Sequence, residues 1–217
     1  MTLLVGNDRD EHIIHETLLR SRSPFFASAL KKEWDATQER RIPLPDDDGA
    51  VVELYLQWLY RGKLFTRPLS EDIGNDCYEH SLLVDAFNFG EKIQDEQFKD
   101  CVIDALIISV ASPDTNGTNW FPTGSCVTRA YDGTPVGSPL RKLLVDFHVV
   151  HGSREWLKDE NHPEFLADLA KDLIGSRRNV ETLDPIKSYD SCPYHHHGKD
   201  KSCYNTASKG TIGEPGR

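Results

Sequence analysis

The first apolar run, Leu3-Leu4-Val5, is followed by Gly6-Asn7-Asp8, which predicts a short strand and a turn. His12-Ile13-Ile14 predicts a second short strand. From Glu16 the spacing becomes helical through Leu18 and Leu19. Ser23-Pro24 predicts a fresh helix, with serine as its cap and proline at its first position, and with Phe25, Phe26, Ala29 and Leu30 as its apolar face. Arg41-Ile-Pro-Leu44 is extended, because Pro43 and Pro45 exclude helix there.

The clearest periodicity runs from Ala50 to Arg61. Val51, Val52, Tyr55, Trp58 and Leu59 recur at three- and four-residue spacing, while Glu53, Gln57 and Arg61 form a polar stripe. Asp46 to Asp48 stand where the helix dipole favours anions, and Gly62 is the stop. A loop follows from Lys63 to Asp76. Helices are then predicted from about Tyr78 to Lys92 and from about Asp95 to Ser109. In the second, Phe98, Cys101, Val102, Ala105, Leu106 and Ile108 leave little polar face, the pattern of a buried central helix.

Residues 111–125 are loop by composition and mark the best internal boundary. Beyond it, Ser138-Pro139 opens a helix carrying Leu140, Leu143, Leu144, Phe147 and Val150, ending near Gly152. Pro163 opens another, carrying Phe165, Leu166, Leu169, Ala170 and Leu173, ending at Gly175. The apolar periodicity then stops. Residues 176–217 are expected to be a flexible, unpacked tail, and residues 1–175 to fold without it. There is no internal repeat.

Composition narrows the function. The 217 residues carry 25 Lys+Arg against 35 Asp+Glu, a net charge of −10, which argues against a nucleic-acid groove because phosphates need a cationic surplus. The excess lies in residues 1–110, with 12 basic and 21 acidic residues; Arg141-Lys142, Lys171 and Arg177-Arg178 are too scattered to form a basic patch. The longest apolar run, Ala105 to Ile108, is far too short to span a membrane. The N-terminus has no basic region ahead of a long apolar stretch, so no export signal is expected. The five cysteines, at 77, 101, 126, 192 and 203, are too sparse for a disulfide framework. An intracellular protein, cytoplasmic or nuclear, is expected.

No Gly-x-Ser-x-Gly, Walker, Gly-x-Gly-x-x-Gly or Cys-x-x-Cys motif is present. His15-Glu16 opens like a zincin motif, but position 19 is leucine. His12 and His15, flanked by Asp10 and Glu11, would point in different directions where a strand enters a helix, so a metal pair is not expected there. The tail offers a sharper candidate. Cys192, His195, His197 and Cys203 supply two thiolates and two imidazoles, the donor set of a structural zinc site, and His196 could stand in for either neighbouring histidine. Metal binding there would become folding energy for a segment too polar to fold alone. Trp34, Trp58 and the Phe25-Phe26 pair are expected in the core, as is Cys101; Cys77 and Cys126 lie near loops with nothing to activate a thiolate.

The first half also resembles a known family. Val5-Gly6, then Ile14-His15-Glu-Thr-Leu18-Leu19-Arg-Ser-Arg-Ser23-Pro-Phe-Phe26, resembles the BTB/POZ signature of a strand, an extended stretch ending in His, a helix with paired apolar residues and Ser-x-x-Phe. Ile42-Pro-Leu44-Pro-Asp46-Asp-Asp and Leu54-Tyr-Leu-Gln-Trp58-Leu59-Tyr60-Arg-Gly62 resemble its next strand, acidic turn and helix ending in Tyr-x-Gly, and Val84 to Ile108 fits its two closing helices. The likeness is nearest to the short BTB proteins of filamentous fungi, which similarly continue with a Ser-Pro-Leu-Arg-Lys helix (Ser138 to Lys142) and a Cys/His-bearing C-terminus.

The resemblance implies an α/β (α+β) fold with a small three-stranded sheet surrounded by helices: residues 1–110 as the BTB/POZ domain, 111–125 as a linker loop, 126–175 as a helical extension and 176–217 as the tail. It implies structural roles for His15, Ser23, Phe26, Tyr60 and Gly62, with the His15 ring satisfied by neighbouring backbone. It implies binding of other proteins without catalysis, as a scaffold or co-regulator, or alternatively as a substrate adaptor of a cullin-3 ubiquitin ligase. In the adaptor case residues 42–65 and the helix from Asp95 would face the cullin. A zinc-dependent enzyme is a third, weaker alternative. Many dimeric members exchange a helix and strand that precede the first strand here, and the chain opens directly on that strand, so self-association by that route is not expected.

Overall fold

The computed structural model describes residues 1–30, 40–66, 76–157, 161–175, 184, 186, 191–197 and 203, with backbone alone for 76 and 77. Trp34, Arg177, Arg178 and the Cys77 side chain lie outside the described residues. The fold is mixed α/β, with a small three-stranded sheet and, among the described residues, eight α-helices.

Strand β1 (Thr2–Val5) is the centre of the sheet. It pairs antiparallel with β2 (Asp10–Ile13), Leu3 opposite His12, and parallel with β3 (Arg41–Leu44), Leu3 opposite Ile42. Alternation sends Leu3, Val5, Ile42 and Leu44 inward and leaves Ile13 83% exposed. Pro43 is accommodated because β3 is an edge strand, where one backbone N–H is not needed.

Helices α1 (Glu16–Arg22) and α2 (Pro24–Ala29) are separated by Ser23 in extended conformation. Its hydroxyl accepts the Phe26 N–H (3.2 Å), as an N-cap should, and donates to the Ile93 carbonyl (2.5 Å). The serine thus ties this corner to the far end of a later helix. Helix α3 (Gly49–Arg61) starts where Asp48 accepts the Ala50 N–H at 2.7 Å and stops at Gly62, whose φ of 65° is the left-handed conformation that glycine adopts without strain.

Helices α4 (Asp76–Ile93) and α5 (Glu96–Ala111) form the middle of the molecule. No residue of α4 between Glu79 and Glu91 is exposed, and between Phe98 and Val110 of α5 the sole exposed side chain is Ile108. They approach so closely at Gly90 that a Cβ there would lie 2.6 Å from Lys99 Cγ. Most polar groups buried on these two helices are paired, Glu91 Oε1 and Asn88 Oδ1 being exceptions. Lys99 Nζ reaches Glu91 and Glu96, each at 3.0 Å. Ser109 donates to Glu79 at 2.7 Å. Asp95 caps α5 through the Phe98 N–H (3.1 Å) and accepts the hydroxyl of fully buried Tyr55 (3.1 Å), whose ring packs on Trp58, Phe89 and Phe98.

Helix α6 (Ser125–Gly133) is absent from the sequence expectation. Its buried Val127, Ala130 and Tyr131 do have helical spacing, but only over two and a half turns and directly after a long polar loop. It lies on α4, with the Asn88 amide donating to the Arg129 carbonyl (2.9 Å) and the Gly133 backbone against the Asn88 side chain. Helices α7 (Pro139–His151) and α8 (Pro163–Gly175) follow, close to the expected bounds. Arg141 is no surface cation. It is buried over the Tyr131 ring, donating to Thr134 Oγ1 (3.0 Å), the Tyr131 carbonyl (2.6 Å) and Glu164 (2.5 Å).

One apolar core runs from Leu3 through α3, α4 and α5 to Leu140, Leu143, Leu144 and Phe147 of α7. The loop after α5 therefore joins two sides of one core. A smaller cluster of Val127, Tyr131, Val145, Phe165 and Leu169 seats α8, whose Leu166 and Leu173 face outward instead of joining it. The expectation of an unpacked tail fails at the described C-terminal residues: Tyr194 belongs to the main core, and Asp184, Ser191, His195 and Cys203 are buried. No helix among the described residues is long and apolar enough to cross a membrane.

Tyr55→Ala is expected to lower unfolding free energy by about 3–5 kcal/mol, the cost of deleting a buried aromatic side chain, whereas Tyr55→Phe, which strips Asp95 of one donor, is expected to cost about 1–3 kcal/mol. Urea unfolding followed by circular dichroism distinguishes the two. His148, buried against Trp156 and Phe165, has its pKa lowered by burial, against the opposing Leu144 carbonyl at 2.7 Å. The unfolded chain therefore takes up a proton more readily than the folded one, and stability falls as pH drops below about 6.5. Between pH 7 and 5 that part of the slope is expected to vanish in His148→Leu; an unchanged slope would contradict the assignment.

Candidate functional site

Cys192 opens a short 3₁₀ turn, Cys192–Tyr194, and Pro193 within it stiffens the entry. The Tyr194 hydroxyl donates to Asp146 Oδ2 of α7 (2.8 Å), and Lys142 Nζ stands 4.4 Å from the Tyr194 ring centroid while bonding the same carboxylate at 3.1 Å. The next two residues turn onto α5. His195 Nε2 bonds Asp104 Oδ1 at 2.9 Å, and the His196 backbone N–H donates to Asp100 Oδ1 at 2.7 Å. Asp100 and Asp104 are one helical turn apart, so both meet consecutive residues of the same segment.

This seating gathers three of the four sequence-derived ligands. Cys192 Sγ, a ring nitrogen of His197 and Cys203 Sγ all lie within 4.8 Å of one another, Cys192 Sγ being 3.2 Å from His197 Nε2. Such a group could hold a metal ion. His195 stands beside the group, its Nδ1 3.1 Å from Cys203 Sγ. His196 does not substitute for a neighbour: its backbone is engaged by Asp100, and its ring lies toward Phe87, centroids 6.3 Å apart.

The electrostatics of His195 follow from that placement. Burial disfavours its charged form, but Asp104 and Cys203 on either side more than offset this and push its pKa up to about 9 in the metal-free protein. Cys101 of α5 has its thiol pushed up to about 12, chiefly by burial, which agrees with a packed and unreactive cysteine.

The residues marked by the family resemblance lie on α1 to α3 and at their ends. Ser23 and Phe26 are buried and Gly62 terminates α3, as described above. His15 differs from expectation: it is exposed, and its partner is a side chain. The Tyr60 hydroxyl accepts the His15 backbone N–H at 3.2 Å and shares a hydrogen bond with His15 Nδ1 at 2.8 Å. The pair links the start of α1 to the end of α3. Nearby, a cleft of about 190 Å³ opens between α3 and α4, lined by Leu54, Gln57, Phe65, Tyr78 and Leu82 among others. Phe65 is 53% and Tyr78 47% exposed, and Arg61 sits over the Phe65 ring. Ile108 of α5 is 51% exposed.

Compared with protein-family models and with curated proteins, the chain matches none of either.

Sequence reasoning missed Asp100, Asp104, Asp146 and Tyr194, the residues that seat the cluster. A signal was present: two carboxylates one turn apart in a nearly all-apolar helix must find donors when buried. Nothing in the spacing said that the donors would come from 91 residues downstream. With the Tyr194 ring in the main core, Tyr194→Ala is expected to cost the full chain about 3 kcal/mol of stability. A loose tail would give a change under about 0.5 kcal/mol, as for exposed positions; denaturant melts of the two proteins decide.

Proposed function

We propose that the chain is a BTB/POZ-type interaction module, a scaffold or co-regulator that holds partner proteins by shape and apolar contact and performs no chemistry on them. The order of elements through α5 supports the resemblance: strand, strand, two short helices, strand, then three helices, about one small sheet. The observation that carries the interaction reading is the aromatic cleft. Phe65 and Tyr78, half exposed beside the apolar walls of Leu54 and Leu82, have the character of interface anchors.

A second reading, a cullin-3 adaptor, is favoured by where exposure falls. Phe65 lies at the end of segment 42–65, and Ile108 lies on the helix that follows Asp95; both surfaces are ones the resemblance would assign to a cullin. We also propose that the Cys/His group of the C-terminus takes zinc. Two thiolates and two imidazoles suit a closed, tetrahedral structural site better than a catalytic one, which keeps a position open.

The test is capture of the tagged chain and of its Phe65→Ser/Tyr78→Ser double variant from their own cells, with mass spectrometry. A stoichiometric partner is expected with the parent chain and lost, by at least about tenfold, with the variant. If that partner is a cullin the adaptor reading holds; if it is another protein the scaffold reading holds. Equal recovery from both, or no partner from either, would overturn the cleft as the binding surface.

A further inference from the structure

We infer that the zinc site proposed above is a clasp between the C-terminal segment and the helical core, with Asp104 of α5 as the positioning residue for the ligand His195. The inference rests on the zinc reading and goes beyond it: a tail site of the zinc-finger kind would be self-contained, whereas this one is completed by residues about ninety positions upstream.

The geometry is specific on this point. A metal-binding imidazole is held in one tautomer when its other ring nitrogen donates to a carboxylate. His195 has that arrangement: Nε2 faces Asp104 Oδ1 at 2.9 Å, leaving Nδ1 directed at Cys203 Sγ at 3.1 Å. Nitrogen and sulfur donors on one tetrahedral zinc stand about 3.5 Å apart, from bond lengths of about 2.0 and 2.3 Å. The His195–Cys203 and His197–Cys192 separations of 3.1 and 3.2 Å are near that edge length. The group within mutual reach is Cys192, His197 and Cys203; His195, paired with Cys203 and anchored to α5 through Asp104, stands beside it as the fourth ligand of the proposed site.

Three further contacts bind the same segment to the core without touching the ligand atoms. The His196 N–H donates to Asp100, Tyr194 donates to Asp146 of α7, and the Tyr194 ring enters the main apolar core. Ligand binding and seating of this segment are consequently coupled. Zinc closes the loop from Cys192 to Cys203 and fixes His195 on Asp104; α5 and α7 in turn hold the ligands in place before the metal arrives. The core pre-organises the site, and the metal locks the tail over a stripe of α5 that carries Asp100 and Asp104.

The full chain is titrated with zinc against a chromogenic chelator, with cobalt(II) absorption as the report on coordination. One equivalent is expected, with thiolate-to-cobalt bands of a tetrahedral site. Asp104→Asn is expected to weaken zinc binding by about 10- to 100-fold while keeping those bands, as loss of a ligand-orienting carboxylate does. Asp104→Glu is expected to recover part of the loss. In a His195→Ala background, Asp104→Asn is expected to have no further effect, which a merely structural role in α5 would not produce. Should Asp104→Asn fail to fold, Asp100→Asn, which weakens the hold on the His196 N–H, serves in its place, with the same direction expected. Unchanged affinity in the folded variant would overturn the clasp and leave the zinc site standing. No zinc bound by the parent chain would overturn both.

Discussion

Two neighbouring helices with almost no face for solvent set the terms for everything else in this protein. Helix α4 is covered from Glu79 to Glu91, and α5 is covered from Phe98 to Val110 apart from Ile108. A helix that is apolar nearly all round has to be enclosed all round. The sheet is too small for this, since three strands of four residues can cover one side only. Helices α1 to α3 extend that side. The remaining flank of α4 is closed by α6, against which α7 packs, and the core is continuous from Leu3 to Phe147. The C-terminal helices complete the packing that the first hundred residues begin.

Enclosure has a polar counterpart. Once α5 is covered, each polar group it carries needs a partner, because a buried polar group without one is costly. Lys99 finds Glu91 and Glu96, Ser109 finds Glu79, and Asp95 finds Tyr55 and its own helix N-terminus. Asp100 and Asp104 find theirs in His196 and His195. The position of the Cys/His cluster thus follows from the same requirement that places the helices: the segment that carries the thiolates also carries the donors that α5 lacks.

Most of the helical framework was legible in the sequence because its signals are local. Ser23-Pro24, Asp48 with Gly62, and Ser138-Pro139 mark element ends through caps and backbone constraints that act within a few residues. The three strands were legible as extended pieces, but the parallel pairing of β1 with β3 depends on residues nearly forty apart and has no local mark. Helix α6 escaped because nine residues with four buried positions carry little periodic signal, and its stability comes from contact with Asn88 and the rest of α4. The donor set of the Cys/His cluster was legible as residue types; its geometry was not. That geometry depends on Asp104 and Tyr194, one a carboxylate within an apolar helix and the other a lone aromatic in a polar segment, and neither is informative until the two ends of the chain are brought together. His15 illustrates the same limit at smaller scale: its partner Tyr60, 45 residues away, has no local mark in the sequence.

The claim on which the account turns is that one core, organised by α4 and α5, includes the helices beyond the 112–124 loop. Native-state hydrogen exchange under mild denaturant measures this directly, since amides that open only by global unfolding share one free energy. The most protected amides of α3, α4, α5 and α7 are expected to merge at a common value. A separate, lower opening free energy for α7, with α4 and α5 unaffected when it opens, would contradict the single core and make the C-terminal helices an independent unit.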